Sequence, residues 1–215
     1  MISWMDKILV SACLLGEKTT YLGGDNRQDY LTELNRYYDL VPFCPEVEGG
    51  LPTPRKPSEQ KGASVYMDDG TDVTSAFNEG AYKATAICSF LGIRLAILKE
   101  RSPSCGVHQI HDGRFKGNLI PGEGVTTAAL RRMGVRVYNE EEGIQLLEEA
   151  KRRREIIDER TKAIREKGSE EPKEEKPHRD VHRDYPKGRP AGRSYQGKTR
   201  PFTKGGKKPF RKKER

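Results

Sequence analysis

Hydrophobic positions along the first 145 residues follow two alternating spacings. Continuous apolar runs are typical of buried strands, and apolar positions that recur every three or four residues are typical of helices with one buried face. The second spacing is clearest at 77, 81, 84, 87, 88 and 91. In chain order, the pattern predicts strands at 7–12, 39–44, 93–98 and 135–138 and helices at 25–38, 74–91 and 125–133. Strands separated by helices need crossover connections, so we expect an α/β fold, a mostly parallel sheet with helices on both faces.

Glycines mark where several of these segments end. Gly92 and Gly134 directly follow two of the predicted helices and are expected to stop them. The dipeptide Asp112-Gly113 predicts a tight hairpin turn within 111–115.

The pattern changes in the last third of the chain. Residues 140–167 read as one long charged helix whose first turns pack on the domain, and its thin apolar stripe consists of Ile144, Leu147, Ile156, Ile157 and Ile164. Beyond Gly168 there are too few large apolar residues to offset the entropy of ordering, so we expect disorder. The predicted organisation is an α/β domain at 1–145, an extended charged helix at 146–168 and a disordered basic tail at 169–215.

The charge of the chain is divided unevenly. The formal net charge is +8, but residues 1–145 carry 16 Lys/Arg against 19 Asp/Glu, so the excess of positive charge lies in the last third. Residues 177–215 contain 14 Lys/Arg and three acids, with Tyr185, Tyr195, Phe202 and Phe210 spaced among them. Basic residues attract phosphates, and aromatic rings stack on unpaired bases. This composition suggests a tether for RNA, including tRNA, and a feature that serves only solubility is the simpler alternative.

The sequence pattern excludes a membrane protein and a secreted protein held together by disulfides. No apolar run approaches the about 20 residues that span a bilayer, and the N-terminus lacks the layout of a signal peptide. We therefore expect a cytoplasmic protein without a membrane partner. In that reducing compartment the four cysteines are suited to chemistry or metal binding rather than to disulfides.

Three of the four cysteines follow predicted strands. Cys13, Cys44 and Cys105 each come at or shortly after the carboxyl end of a strand, beside glycine or proline. In an open parallel sheet those ends border one crevice, where ligands bind. Cys88 lies on the apolar face of helix 74–91, so we assign it to the core. The other three cysteines indicate a metal site, although small buried residues are the simpler alternative.

The residues alone leave the metal open. Thiolates select zinc, copper(I) or iron–sulfur clusters. A structural zinc needs a fourth ligand, which His108 or His111 would have to supply, although either histidine also suits a hairpin. A four-iron cluster on three cysteines would leave one iron open to a substrate.

Several motifs resemble the thiouracil desulfidase family and span about residues 7–140. They are Ser-Ala-Cys13-Leu-Leu-Gly, Val-Pro-Phe-Cys44-Pro-Glu-Val-Glu-Gly-Gly-Leu-Pro-Thr-Pro-Arg55, Gly70-Thr-Asp-Val-Thr74, Leu98-Lys-Glu-Arg-Ser102-Pro-Ser-Cys105-Gly, Asp112-Gly-Arg-Phe and Gly122-Glu-Gly-Val-Thr126. The resemblance implies a [4Fe-4S] cluster on Cys13, Cys44 and Cys105, with one iron free of protein ligands. It also implies removal of sulfur from 2-thiouracil, giving uracil and sulfide without net redox change.

The resemblance implies catalytic roles for one acid and two serines. Glu46 would take a proton from water, with Glu48 as the fallback, and Ser102 or Ser104 would donate to that base or relay a proton. Arg55 would bind an anion or brace its loop. The substrate would be a thio-base, either free or within RNA. Two other functions stay open: a zinc-stabilised RNA-binding module without catalysis, and another open-iron enzyme such as a hydro-lyase.

Overall fold

The computed structural model describes residues 6–168 of the 215-residue chain. The predicted disordered tail at 169–215 and its aromatic residues lie outside this range. The strands within it are β1 Lys7–Ser11, β2 Asp39–Phe43, β3 Ser58–Lys61, β4 Ser64–Met67, β5 Leu95–Leu98, β6 Gln109–His111, β7 Leu119–Pro121 and β8 Arg136–Asn139. The helices are α1 Tyr30–Leu34, α2 Pro45–Glu48, α3 Thr74–Leu91, α4 Val125–Arg132 and α5 Gly143–Gly168, and a 3-10 turn spans Ala12–Leu15.

Four strands form a parallel sheet in the order β2-β1-β5-β8. The inner strands β1 and β5 are almost completely buried, as expected for a parallel sheet covered on both faces. Pro42 lies on the edge strand β2, where its missing N–H does not interrupt the sheet.

Helices cover both faces of the sheet, which confirms the predicted fold class. On one face, α3 and α4 pack on Leu9, Ala96 and Leu98 through a buried cluster that includes Cys88. On the other face, Ile8 and Ile97 pack with residues of α1 and α5. Alternate residues of each strand therefore enter opposite halves of the core.

The long helix α5 is anchored by its first turns, as predicted. Leu146, Leu147 and Ala150 belong to the core, although they lie beyond the predicted domain boundary at 145. From Arg152 to Glu166 every residue of the helix is exposed. None of the helices in residues 6–168 is long and apolar enough to cross a membrane.

The predicted helix at 25–38 is wrong in length, because only Tyr30–Leu34 is helical. The amides of Asn26 and Gln28 donate to the carbonyls of Cys13 and Leu14, so this backbone is tied to the 3-10 turn instead of to a helix. The preceding residues form a loop over the end of β1.

Two small antiparallel sheets lie outside the main sheet. The β3–β4 hairpin was not predicted. The β6–β7 pair contains the predicted Asp112-Gly113 turn, but residues 112–118 form a wider connection than a tight turn. The Asp112 carboxylate accepts hydrogen bonds from the amide of Arg114 and the side chain of Asn118, which organises this longer loop.

Candidate active site

Three cysteines that are distant in sequence line one cavity of about 630 Å³, which we call the cysteine cavity. Cys13 lies in the 3-10 turn after β1, Cys44 directly follows β2, and Cys105 lies in the loop after β5. These strands are neighbours in the sheet, with β1 in the middle. The parallel topology therefore brings the three thiols to one edge of the sheet.

The surroundings of Cys13 and Cys105 oppose the free thiolate form of these two side chains. Burial raises the pKa of Cys13 to about 11, although a hydrogen bond with Asn26 acts in the opposite direction. Burial also raises the pKa of Cys105 well above the usual thiol range, and the nearby sulfurs of Cys44 and Cys13 raise it further, against a hydrogen bond with Ser11. A positively charged, soft group bound by all three cysteine sulfurs would instead favour their thiolate form.

The donor set fits a group larger than one ion. Within residues 6–168, no three His, Cys, Asp or Glu side chains are arranged to hold a single metal ion. The Nε2 atom of His108 instead lies 2.8 Å from a carboxylate oxygen of Glu142. The structure therefore does not bring His108 to the cysteines, whereas His111, the other candidate for a zinc ligand, does line the cavity. Three thiols around one wide cavity suit a multi-iron cluster better.

The carboxylate of Glu46 also lines the cysteine cavity and is firmly held. Its Oε2 accepts a hydrogen bond from Arg55 Nε at 2.9 Å and forms an ion pair with Arg55 Nη2 at 2.8 Å. Arg55 also donates to the carbonyls of Thr19 and Pro52, and only 4% of its side chain is exposed. Arg55 thus braces the loop and fixes the orientation of Glu46.

Ser102 connects Glu46 to the loop that carries the third cysteine. Its Oγ accepts hydrogen bonds from the amides of Ser104 and Cys105, each at 3.1 Å. Both acceptor positions of the hydroxyl are then occupied, so its hydrogen donates to Glu46 Oε1 at 3.3 Å. Glu46 and Ser102 are therefore directly coupled beside the cysteines.

The other candidates are placed elsewhere. Ser104 is fully buried, does not line the cavity, and its hydroxyl bonds to Thr126 Oγ1 at 2.9 Å. Glu48 is exposed at the end of α2 and also lies outside the cavity lining. Cys88 is 1% exposed in the core, as predicted.

Sequence reasoning missed a charged group at the end of β5. Glu100 lines the cavity and accepts hydrogen bonds from the amides of Val107, His108 and Gln109 and from the side chain of Asn139. Burial by itself would raise the pKa of Glu100, but these hydrogen bonds outweigh burial and lower it. The signal that located the cysteines, a position after a strand, applies equally to Glu100.

Residues 8–142 match the family model of 2-thiouracil desulfurase. The chain is 39% identical over 145 residues to the uncharacterized protein YbbK of Bacillus subtilis (strain 168), covering 63% of this chain and 96% of YbbK. It is also similar to a solved structure, the [4Fe-4S]-dependent thiouracil desulfidase TudS, with 48% identity and a TM-score of 0.61 over 63% of this chain and 91% of TudS. The family match spans β1 to β8 and all three cysteines of the cavity, so the chain belongs to the 2-thiouracil desulfurase family.

Proposed function

We propose that this chain removes sulfur from a 2-thiouracil-type base, giving uracil and sulfide. The observation that carries the proposal is the convergence of Cys13, Cys44 and Cys105 on one cavity that the Glu46–Ser102 pair also lines. Membership of the 2-thiouracil desulfurase family and the similarity to TudS support the same activity.

The three cysteines would hold a [4Fe-4S] cluster. Their thiols would ligate three irons as thiolates, and within residues 6–168 the cavity offers no fourth cysteine, because Cys88 is in the core. When bound, the cluster supplies an open iron that acts as a Lewis acid on the soft thiocarbonyl sulfur and makes the ring carbon more electrophilic.

Glu46 and Ser102 would act in the transfer of a proton from the attacking water. Glu46 Oε1 takes a proton from the attacking water, while Arg55 holds Oε2 and so keeps Oε1 turned toward Ser102. The hydroxyl of Ser102 donates to the carboxylate and so holds Oε1 in place, and the protonated Glu46 then returns its proton to the departing sulfur. A general base of this kind contributes about 10²–10⁴-fold to the rate.

The reaction balances without an oxidant or a reductant. Water supplies the oxygen of the new C–O bond, and the C–S bond breaks. The two protons of the water leave with the sulfur as hydrogen sulfide or its anion. Four free cysteines suit this chemistry in the reducing cytoplasm, which is the compartment that we propose.

We also propose that the basic C-terminal region recruits thiolated RNA, tRNA included. Residues 177–215 carry 14 Lys/Arg against three acids, and the exposed part of α5 before them begins with Arg152-Arg153-Arg154. A chain lacking residues 169–215 should bind RNA more weakly and with a shallower dependence on salt concentration. Equal affinities of the two chains across a salt titration would refute this role.

The desulfidase proposal is tested by anaerobic purification followed by iron and sulfide analysis and an assay with 2-thiouracil. We expect a brown protein with the iron and sulfide of a four-iron cluster, which releases uracil and sulfide in equal amounts. A colourless protein with stoichiometric zinc after anaerobic reconstitution, or a loaded protein without turnover, would contradict the proposal.

A further inference from the structure

Glu100 closes the loop that carries the third cysteine. This loop connects β5 to β6 and contains Cys105. Glu100 Oε1 accepts hydrogen bonds at 3.1, 3.0 and 2.9 Å from three successive backbone amides, those of Val107, His108 and Gln109. The amides follow Cys105 in the chain, so the carboxylate at the start of the loop holds the backbone behind the cysteine.

This arrangement of amides is a nest for an anion. Successive backbone N–H groups that converge on one point bind anions, and here the anion is the carboxylate of Glu100. Hydrogen bonds to a charged acceptor are stronger than those between neutral groups. Three of them on one oxygen make Glu100 a firm attachment for this part of the loop.

Asn139 holds the other oxygen of Glu100. Its Nδ2 donates to Glu100 Oε2 at 3.0 Å, and its Oδ1 accepts from the amides of Glu141 and Glu142 at 3.1 and 2.8 Å. Asn139 is the last residue of β8 and is buried. The two oxygens of Glu100 therefore join a buried position of the sheet to the loop after Cys105.

The other contact between this loop and the residues after β8 is exposed. His108 Nε2 lies 2.8 Å from Glu142 Oε1, but half of the histidine side chain is in solvent. Exposed ion pairs contribute little to stability. On its other side Cys105 is held by α4, because Thr127 Oγ1 donates to its carbonyl at 2.8 Å. Glu100 is thus the main attachment of this loop to the sheet.

We propose that Glu100 is a positioning residue, which through Asn139 and the amides after Cys105 holds this cysteine beside Cys13 and Cys44 and so retains the cluster. The inference rests on the proposed function, because it concerns the cluster that the function requires. It assigns Glu100 to cluster retention and not to the chemistry at the thio-base. Partners that orient metal ligands typically contribute about 10–100-fold to metal affinity.

The test exchanges the acid and the amide of the Glu100–Asn139 pair. In Glu100→Gln, either orientation of the new amide places its NH2 group against donors, which are Asn139 Nδ2 on one side and the loop amides on the other. Asn139 cannot turn over to relieve this contact, because its Oδ1 is held by two backbone amides. In the double variant Glu100→Gln/Asn139→Asp, the new carboxylate accepts from the new NH2 group, which restores the pair with its groups exchanged.

The first readout is the release of iron to a chelator, measured anaerobically on the reconstituted full chain without substrate. We expect Glu100→Gln to release iron about 10–100-fold faster than the wild type and the double variant to regain most of the wild-type retention. Thr74→Val is the stability control, because it removes the acceptor of the Val65 amide outside the cavity lining. It should lower the thermal midpoint with iron release unchanged.

The second readout needs no cluster. Cys105 is 5% exposed and Cys88 is 1% exposed, so both should react slowly with iodoacetamide in the iron-free full chain. We expect Glu100→Gln to speed the labelling of Cys105 severalfold and to leave that of Cys88 unchanged, as resolved by peptide mass spectrometry. A global loss of stability would speed the labelling of both cysteines and would contradict a specific role of Glu100.

Failure of the inference can be distinguished from failure of the proposed function. Equal iron release from Glu100→Gln and Thr74→Val, or a double variant that regains stability without iron retention, would overturn the positioning role and leave the desulfidase proposal intact. A loaded wild type that releases no sulfide from 2-thiouracil would refute the desulfidase proposal, while faster iron release from Glu100→Gln would still support the positioning role.

Discussion

Both contacts of Arg55 with Glu46 fall on one carboxylate oxygen, with Nε 2.9 Å and Nη2 2.8 Å from Oε2. The other oxygen, Oε1, is left to Ser102. Two nitrogens that converge on one oxygen anchor Oε2 and leave the second oxygen available to another partner. Arg55 thus positions Glu46 through Oε2, while Oε1 accepts the hydrogen bond from Ser102.

Replacement of the proposed base should affect the rate and not the cluster. Glu46→Gln keeps the shape of the side chain but cannot take a proton from water. We expect kcat to fall about 10²–10⁴-fold with the iron content unchanged, as measured by steady-state assay and metal analysis. Glu48→Gln is the matched control, because Glu48 is exposed and lies outside the cavity lining. Similar kcat values for Glu46→Gln and Glu48→Gln would show that Glu46 is not the general base.

The two serines of the third motif should behave differently. Ser102→Ala removes the donor to Glu46 and the acceptor of the Cys105 amide, so we expect a reduced kcat and weaker cluster retention. Ser104→Ala leaves Thr126 unpaired in the core and should lower the free energy of unfolding by about 1–3 kcal/mol with kcat unchanged.

The double variant Ser104→Ala/Thr126→Val checks this explanation. Replacement of both partners by apolar groups should restore most of the lost stability, as measured by denaturant unfolding. A large loss of kcat in Ser104→Ala at full cluster occupancy would show that the buried serine has a part in catalysis.

We expect replacement of Cys105 and replacement of Cys88 to affect the iron content differently. Cys105→Ser should reduce iron and sulfide to near zero after anaerobic reconstitution, because serine does not offer the soft thiolate that the cluster needs. Cys88→Ala should keep full iron with a modest loss of stability, since Cys88 packs in the core. Equal iron in the two variants would mean that Cys105 is not a ligand.

Acid stability should depend on Glu100. Its folded-state pKa lies below the ordinary value of 4.5, so its contribution to stability is present above that value and is lost as the pH falls through the folded-state pKa. Glu100→Gln should lower the thermal midpoint at neutral pH and flatten its decline between about pH 5 and about pH 3. A parallel decline in the variant and wild type would exclude this contribution.

Much of the fold could be read from local patterns. The spacing of Phe77, Ala84 and Cys88 predicted α3 and its buried face, and the run before Ser11 predicted β1. These predictions hold because burial against a sheet imposes a fixed period on the sequence. The loop before α1 was wrongly predicted as helix. Asp25 and Asn26 are polar residues that suit the start of a helix as well as they suit the turns that they form here.

The residue types in the candidate site were also visible in the sequence, and its geometry was not. The position of Cys13, Cys44 and Cys105 after strands predicted their meeting, because parallel strands end at one edge. Strand order decided that the three come from neighbouring strands, and it cannot be read from one sequence. That Ser102 and Glu46 line the cavity while Ser104 and Glu48 do not is a matter of side-chain direction, which depends on packing between distant segments.

The sequence by itself determined the α/β class, the three ligand candidates and the uneven charge, since each depends on local periodicity or composition. Only the tertiary structure decided which polar groups share the cysteine cavity. Glu46 and Ser102 are ordinary polar residues in the sequence, 56 positions apart, and the folded chain joins them by a hydrogen bond beside the three cysteines. Whether a polar atom finds a hydrogen-bond partner is a property of the complete packing, and no local pattern encodes it.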